Sequence, residues 1–360
     1  MKIGILCGGR SAEHDISLRS ANNIYRASLS SDKLEPVLLG INKRGQWLYR
    51  EDDQLLLLPE GSHQPVLNEE ALQVVLPPAA KGQLWVLGGH KLPFKLDLVF
   101  PILHGPLGED GSIQGLLKIS ETPFIGPDVL GSAVGMDKEV MKRLLAQAGI
   151  PIGRYLCLRK TDALLSFAEA KEQLGLPMYV KPANMGSSVG ISRVFEASEW
   201  EAALKEAFRY DTKILIEQNI EGRELECAIL GNEHPKASTV GEIVTTKTFY
   251  DYKAKYISQS EAKLNIPAKL DEQTIRRIQQ IAIKTYQALE CSGLSRVDVF
   301  LTPDGEIFVN EINTLPGFTN ISMYPKLWEY SGLSNTELIE KLAELALQRY
   351  DEQQKTLQAD

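Results

Sequence analysis

Short apolar runs alternate with longer amphipathic stretches along most of this 360-residue chain, a pattern that predicts an α/β fold. Residues 3–7, 37–41 and 96–103 are apolar runs of the length expected for buried strands. Residues 17–29, between the first two runs, have the spacing of an amphipathic helix. We therefore predict an open parallel sheet in the N-terminal part of the chain.

The pattern changes near Gly131, where we place a domain boundary. Beyond it, helices are predicted at residues 138–148, 161–174, 198–209, 271–289 and 334–350, and strands at 178–181, 214–217 and 224–230. Three of these helices have capping residues at their start, namely Asp137, Ser198 with Glu201, and Ser334 with Glu337. Residues 50–92 carry weak signals for small strands, and residues 351–360 are predicted to fray.

Residues 231–267 lack sustained periodicity, and an unstructured segment of that length in a compact domain is usually a functional lid. Aromatic residues and lysines are interleaved at positions 248–256. That composition could indicate nucleic-acid binding, but no wider basic surface supports it. A lid that closes over phosphate groups fits better.

Residues 293–318 read as strand, turn and strand, followed by a loop. If Thr302 pairs with Gly305 across the turn, Asp298 lies opposite Val309, and Glu311 is the next residue on that face. Asp298, Glu311 and Asn313 would then form an oxygen-rich cluster beside Arg296, of the kind that holds Mg²⁺. For Asp298 alone, an ordinary surface charge is the better interpretation.

Two glycine-containing segments are candidate anion sites. A strand, Gly8-Gly9 and a helix form a corner that can accept an anion, although the dinucleotide fingerprint is absent. In the loop 184–190, glycines flank Ser187 and Ser188 just after Lys181, which suits a loop that covers phosphates. A plain hairpin loop is the alternative for that segment.

Single residues beside these segments have weaker signals. His104 follows a predicted strand, where open α/β sheets bind ligands, and a loop histidine without a function is about equally compatible. Glu13, Glu217 and Glu224 could each contact a ligand, the last two through an adenine amine or ribose hydroxyls. Taken alone, each of these acids is more typical of a solvated surface.

Composition and charge restrict the partners. The chain is 43% hydrophobic and 24% charged, with a formal net charge of -8, which argues against nucleic acid and anionic membranes. The cysteines Cys7, Cys157, Cys227 and Cys291 are far apart and lack metal-ligand spacing. The initial apolar run is too short for a signal peptide, and no stretch is long enough to span a membrane, so a cytoplasmic location is expected.

Seven motifs in one order resemble the D-alanine–D-alanine ligases of the ATP-grasp superfamily, over nearly the whole chain. They are GGRSAEHDIS, HGPLGEDGSIQG, MDK, VKPANMGSSVGIS, FYDYKAKY, SRVDVF and NEINTLPGFT. The resemblance implies a three-domain ATP-grasp fold, in which an N-terminal open parallel sheet precedes two α+β subdomains. Their expected ranges are 1–135, 136–219 and 220–360, with ATP between the second and third.

The resemblance also implies roles for individual residues. Nucleotide contacts are expected from Lys138, Lys181, Ser187, Ser188, Glu217, Glu224 and Lys255, and metal contacts to two Mg²⁺ or Mn²⁺ ions from Asp298, Glu311 and Asn313. Substrate contacts are expected from Glu13, His104, Arg296, Gly317 and Ser322. The residues expected to take part in catalysis are Glu13, Ser187, Tyr256, Arg296 and Gly317.

The implied reaction is ATP-dependent ligation of two D-alanines through a D-alanyl phosphate for peptidoglycan synthesis, by a homodimer. A D-alanine–D-lactate ligase is less favoured, because the predicted lid has Tyr256 and no histidine follows His234. Another ATP-grasp carboxylate–amine ligase would not need Glu13, Tyr256 and Ser322 together. A non-catalytic nucleotide-binding regulator would be expected to lose the metal-binding acids, and all of them are present.

Overall fold

The computed structural model describes residues 1–62, 64–163, 165–245 and 262–357. Within these ranges the helices are α1 (His14–Leu29), α2 (Ser112–Ile119), α3 (Val129–Met136), α4 (Lys138–Gln147), α5 (Phe167–Leu174), α6 (Ala197–Ala207), α7 (Glu272–Ala288), α8 (Met323–Tyr330) and α9 (Asn335–Leu357). Among them, no helix is long and apolar enough to cross a membrane.

The N-terminal sheet has the strand order β7-β6-β3-β2-β1-β8. Its strands are β1 (Lys2–Gly8), β2 (Glu35–Ile41), β3 (Trp47–Tyr49), β6 (Leu72–Val75), β7 (Trp85–Val86) and β8 (Leu98–Pro101). The central strand β1 pairs in parallel with β2 and β8, as the apolar runs predict, whereas β3, β6 and β7 extend the sheet in antiparallel pairing. A small hairpin of β4 (Leu56–Leu57) and β5 (Val66–Leu67) completes the weakly predicted segment.

The second sheet is antiparallel, with the strand order β11-β10-β12-β9. Its strands are β9 (Tyr155–Arg159), β10 (Met178–Pro182), β11 (Ser192–Val194) and β12 (Lys213–Gln218). Two helix starts differ from the prediction. Helix α5 begins only at Phe167, because Ser166 caps it. At the start of α6, the predicted Ser198–Glu201 capping box is wrong. Glu196 is the N-cap instead, and the Glu199 carboxylate accepts from the Glu196 N–H (3.3 Å), so α6 begins at Ala197.

The third sheet is antiparallel, with the strand order β15-β14-β13-β16-β17. Its strands are β13 (Arg223–Gly231), β14 (Lys236–Thr245), β15 (Ala262–Asn265), β16 (Gly293–Leu301) and β17 (Ile307–Asn313). The prediction of one structureless lid over 231–267 is therefore wrong, because β14 and β15 occupy both of its ends. The predicted fraying after Tyr350 is also wrong as far as Leu357, since α9 continues to that residue.

The β16–β17 hairpin differs from its predicted register. Leu301 pairs with Ile307 and Val299 with Val309, so Asp298 does not lie opposite Val309. A β-bulge then inserts Asn310 as an extra residue, after which Asp298 pairs with Glu311. Val309 is 1% exposed and belongs to the core, whereas Glu311 is partly exposed. The bulge therefore changes the phase of the strand and moves Glu311 to the face of Asp298.

Candidate active site

A cleft with a volume of 530 Å³ lies where the three sheets meet. Its lining contains predicted residues from all three parts of the chain, namely Glu13, His104, Lys138, Ser187, Arg296, Glu311, Asn313, Gly317 and Ser322. The fold thus brings together side chains that are about three hundred positions apart in the sequence.

The corner after β1 places Glu13 at the start of α1. Gly8 and Gly9 have φ angles of 92° and 100°, and a Cβ on Gly8 would lie 2.2 Å from the Ile41 carbonyl oxygen. This tight turn lets α1 begin at His14, three residues before the predicted start. Glu13 is buried, and its carboxylate accepts a hydrogen bond from the Ser187 hydroxyl. The first loop and the glycine loop therefore meet at this carboxylate.

The glycine loop after β10 has an unusual backbone. Ser187 and Ser188 both have positive φ angles, 51° and 60°, a backbone conformation that residues other than glycine rarely adopt. The buried Lys138 ammonium donates to the Met185 carbonyl (2.7 Å) and lies 3.5 Å from the Glu311 carboxylate. Lys138 consequently joins the glycine loop to the hairpin across the cleft.

Arg296 is held by two acids from the third sheet. Its guanidinium donates twice to the Asp298 carboxylate, at 2.7 Å each, and lies 2.9 Å from the Glu226 carboxylate. Glu226 pairs with Asp298 across β13 and β16, which explains why all three charges lie together. Arg296 and Glu226 are both buried. We call Arg296, Glu226 and Asp298 the acidic cluster, because its formal charge is one negative.

The donor set of the hairpin fits a hard divalent cation. Asp298 lies opposite Glu311 and Asn313 lies opposite Arg296, so two carboxylates and an amide share one face. Oxygen donors of this kind suit Mg²⁺ or Mn²⁺. In the part of the chain that the structure describes, no group of three His, Cys, Asp or Glu side chains has metal-binding geometry, so the set depends on Asn313 as its third member.

The second sheet carries a cluster of opposite charge. The Glu217 carboxylate lies 3.1 Å from the Lys142 ammonium and 2.7 Å from that of Lys181. Burial alone would raise the pKa of Glu217, but the two ammonium groups hold it below its ordinary value. Burial also lowers the pKa of Lys142, against the attraction of Glu217. We call Lys142, Lys181 and Glu217 the basic cluster, whose formal charge is one positive.

His104 and Glu109 are buried titratable groups in the loop after β8. Burial lowers the pKa of His104, which favours the neutral imidazole. Burial and the nearby Glu13 charge raise the pKa of Glu109 to about 8, although the Gly105 N–H donates to its carboxyl group (2.5 Å). The loop therefore presents uncharged forms of both residues to the cleft near neutral pH.

The loop after β17 brings Gly317 and Ser322 together. A Cβ on Gly317 would lie 2.9 Å from the Ser322 hydroxyl, so any other residue at this position would require that hydroxyl to move. The Ser322 hydroxyl accepts from the Thr319 N–H (2.9 Å) and precedes α8, a helix that the sequence pattern did not predict. Both residues line the cleft beside Asn313.

Some predicted residues lie elsewhere. Lys255 and Tyr256 fall in positions 246–261, outside the described residues. Glu224 is exposed on β13, opposite Phe300 of β16. Lys142, Glu226 and Glu109 were not predicted. Lys142 follows Lys138 by four residues, and this helical spacing could have indicated it.

Two family models match this chain. Residues 2–127 match the family model for the D-Ala–D-Ala ligase N-terminus, and residues 144–344 match the model for the C-terminus. The chain is 51% identical to a D-alanine–D-alanine ligase of Oceanobacillus iheyensis, over 100% of this chain and 99% of that relative. The chain therefore belongs to the D-alanine–D-alanine ligase family.

Solved structures agree with this assignment. A D-alanine–D-alanine ligase from Coxiella burnetii superposes with a TM-score of 0.85 at 38% identity, covering 99% of this chain and 97% of the other. The VanG D-Ala:D-Ser ligase from Enterococcus faecalis superposes with a TM-score of 0.82 at 35% identity, covering 96% and 99%. The predicted α/β ATP-grasp fold is confirmed.

Proposed function

We propose that the protein joins two D-alanine molecules to D-alanyl-D-alanine, with ATP converted to ADP and phosphate, as a step in cytoplasmic peptidoglycan precursor synthesis. The observation that carries this proposal is the convergence of Glu13, the glycine loop and the Arg296 hairpin on one cleft. Such a reaction needs a carboxylate that binds an ammonium group, hydrogen-bond donors for phosphates, and a positive charge that stabilises an oxyanion.

The first step activates a carboxylate. Glu13 accepts hydrogen bonds from the ammonium group of the first D-alanine, and its own contact with Ser187 keeps the carboxylate directed into the cleft. Lys138, Lys181, Ser187 and Ser188 contact the phosphates of ATP. The carboxylate oxygen of D-alanine attacks the γ-phosphorus, the bond to the β-phosphate oxygen breaks, and a D-alanyl phosphate and ADP result.

The base and sugar of ATP contact Glu217 and Glu224 in this proposal, while Lys181 of the basic cluster contacts the phosphates. Glu217 faces the adenine amine, and Glu224 accepts from ribose hydroxyls. The exposed position of Glu224 at the beginning of β13 suits a contact with the sugar edge. In the lid, Lys255 and Tyr256 are proposed to complete the cover over the phosphates.

The second step forms the peptide bond. The amine of the second D-alanine, once deprotonated, attacks the acyl carbon, and phosphate leaves with the electron pair of the C–O bond. Arg296 and the Gly317 N–H stabilise the tetrahedral oxyanion, while Ser322 binds the carboxylate of the second D-alanine. His104 lies in the same cleft, and its burial in a neutral form avoids repulsion of the ammonium group nearby.

Asp298, Glu311 and Asn313 would hold two Mg²⁺ or Mn²⁺ ions, which neutralise charge on the transferred phosphoryl group. The net negative charge of the acidic cluster supports cation binding at this position. We also propose a homodimer, and a division into domains at 1–135, 136–219 and 220–360.

The deciding experiment measures phosphate release from the purified protein with ATP and Mg²⁺, with amino acids added singly and in pairs. We expect release that depends on D-alanine, with D-alanyl-D-alanine as the product identified by mass spectrometry. Release that requires D-lactate or D-serine beside D-alanine would assign a different second substrate. No response to D-alanine would overturn the proposed function.

A further inference from the structure

Helix α1 contacts the loop that carries Gly317 through two side chains. The Ser20 hydroxyl accepts from the Phe318 N–H (3.2 Å), and the Asn23 side-chain amide donates to the Phe318 carbonyl (2.9 Å). Both backbone polar groups of Phe318 are therefore held by one helix of the N-terminal part, about three hundred positions away. Ser20 is fully buried, so its hydrogen bond is shielded from water.

The Phe318 ring adds a third restraint. It is 1% exposed and packs edge-on against Phe100 of β8, with ring centroids 5.4 Å apart, and against Tyr324 of α8 at 5.6 Å. With its ring fixed by packing and its backbone fixed by Ser20 and Asn23, Phe318 has little freedom to rotate. Gly317 is its direct neighbour, and glycine has no side chain of its own to restrain it.

Glu13 is the N-cap residue that directly precedes the same helix. Ser20 follows Glu13 by seven residues, which is close to two helical turns, and Asn23 follows by one turn more. Ser20 and Asn23 thus hold the Phe318 peptide from the same helix whose N-terminal end places Glu13 in the cleft. Ser20 also lies 3.5 Å from the His104 imidazole nitrogen Nε2, which adds a link to the loop after β8.

We propose that Ser20 and Asn23 are positioning residues, which hold the Phe318 peptide so that the Gly317 N–H stays aligned with the oxyanion that forms at the reacting acyl group. Through α1, the distance between the ammonium site at Glu13 and the oxyanion site at Gly317 is fixed by one rigid element. This inference rests on the proposed function, because it assigns the clamp to the second step of that reaction.

The test uses the full-length protein and three variants. Ser20→Ala removes the acceptor for the Phe318 N–H together with the contact to His104. Asn23→Asp keeps the size of the side chain but replaces the donor with a carboxylate, and it leaves the His104 contact in place. Ser28→Ala is the matched control, because Ser28 is an equally buried serine on α1 whose hydroxyl has no hydrogen-bond partner among the described residues. Ser20→Thr keeps a hydroxyl and serves as the conservative rescue.

Two readouts are measured: the kinetics of dipeptide formation, and hydrogen exchange of the backbone amides at 313–320. Loss of one hydrogen bond is expected to raise exchange at Phe318 about tenfold and to lower kcat about tenfold. The KM values for ATP and the first D-alanine stay unchanged, and more ADP is released per dipeptide, because the acyl phosphate hydrolyses before it is attacked. Ser20→Thr regains most of the lost kcat.

Wild-type kcat and exchange in both Ser20→Ala and Asn23→Asp would overturn the inference, as would an equal loss in Ser28→Ala. If Ser20→Ala does not fold, Asn23→Asp tests the same loop with a partly exposed side chain. A wild-type protein that makes no dipeptide would instead refute the proposed function. The exchange measurement would then still decide whether Ser20 and Asn23 hold the loop.

Discussion

The acidic and basic clusters have the same design with opposite signs. In the acidic cluster, one buried cation, Arg296, is held between the carboxylates of Glu226 and Asp298. In the basic cluster, one largely buried carboxylate, Glu217, is held between two ammonium groups. Each arrangement satisfies its central charge and leaves one unit of the outer charge in excess.

The sign of that excess matches the proposed ligand on each side of the cleft. One excess negative charge beside Glu311 attracts divalent cations, whereas one excess positive charge beside the glycine loop attracts phosphates. Each cluster therefore supplies a net charge to its side of the cleft in addition to a compensated ion pair. A compensated ion pair alone adds little stability. Three substitutions test this comparison, and the largest expected effect is described first.

Glu217→Gln removes the carboxylate between Lys142 and Lys181, both of which are less than a tenth exposed. Two buried ammonium groups then lack compensation, and we expect the free energy of unfolding to fall by about 3–5 kcal/mol. Urea unfolding at neutral pH, followed by circular dichroism, measures it. Glu221→Gln, an exposed acid after the same strand, should change stability by less than about 0.5 kcal/mol. Equal changes in the free energy of unfolding of the two variants would show that the basic cluster does not stabilise the fold.

Glu311→Gln keeps the shape of the side chain but removes a charge from the proposed metal site. We expect kcat to fall at least about 100-fold, the loss typical of a disturbed metal shell, while the free energy of unfolding is retained. Steady-state kinetics over a range of Mg²⁺ concentrations provides the measurement. Glu306→Gln, on the exposed turn of the same hairpin, is the control. An unchanged rate for Glu311→Gln would exclude this residue from the metal site.

Lys142→Met removes the excess positive charge but leaves the Lys181–Glu217 pair intact. We expect the KM for ATP to rise about tenfold, because the phosphates lose the attraction of one positive charge. A tenfold change corresponds to about 1.4 kcal/mol of binding free energy. Arg143→Met, on the same helix but largely exposed, should leave the KM unchanged. If the KM for ATP is the same in both variants, the excess charge does not contribute to nucleotide binding.

The sequence predicted most of what depends on local pattern. Asp137 caps α4 as expected, and the Ser334–Glu337 capping box opens α9. Glu13, His104 and Lys138 reach the cleft because each stands at the end of a strand or the start of a helix, where ligands gather. Helix α8 was missed because Pro325 lies in its first turn and resembles a helix breaker.

The features that the sequence could not supply depend on pairing between distant strands. Glu226 looks like any strand acid until β13 is placed beside β16, and only then does it face Arg296. The loop prediction for 231–267 failed because Gly231, Gly241 and the polar residues near them weaken the alternation that defines a strand.

The bulge at Asn310 has a practical consequence for anyone who grafts or redesigns this hairpin. Removing Asn310 would straighten β17 yet leave Asp298 paired with Glu311, because Asn310 is the extra residue. Inserting one more residue after it, without a second bulge, would turn Glu311 and Asn313 into the core and push Ile312 into the cleft. The hairpin therefore tolerates the removal of one residue at this position, but not the addition of one.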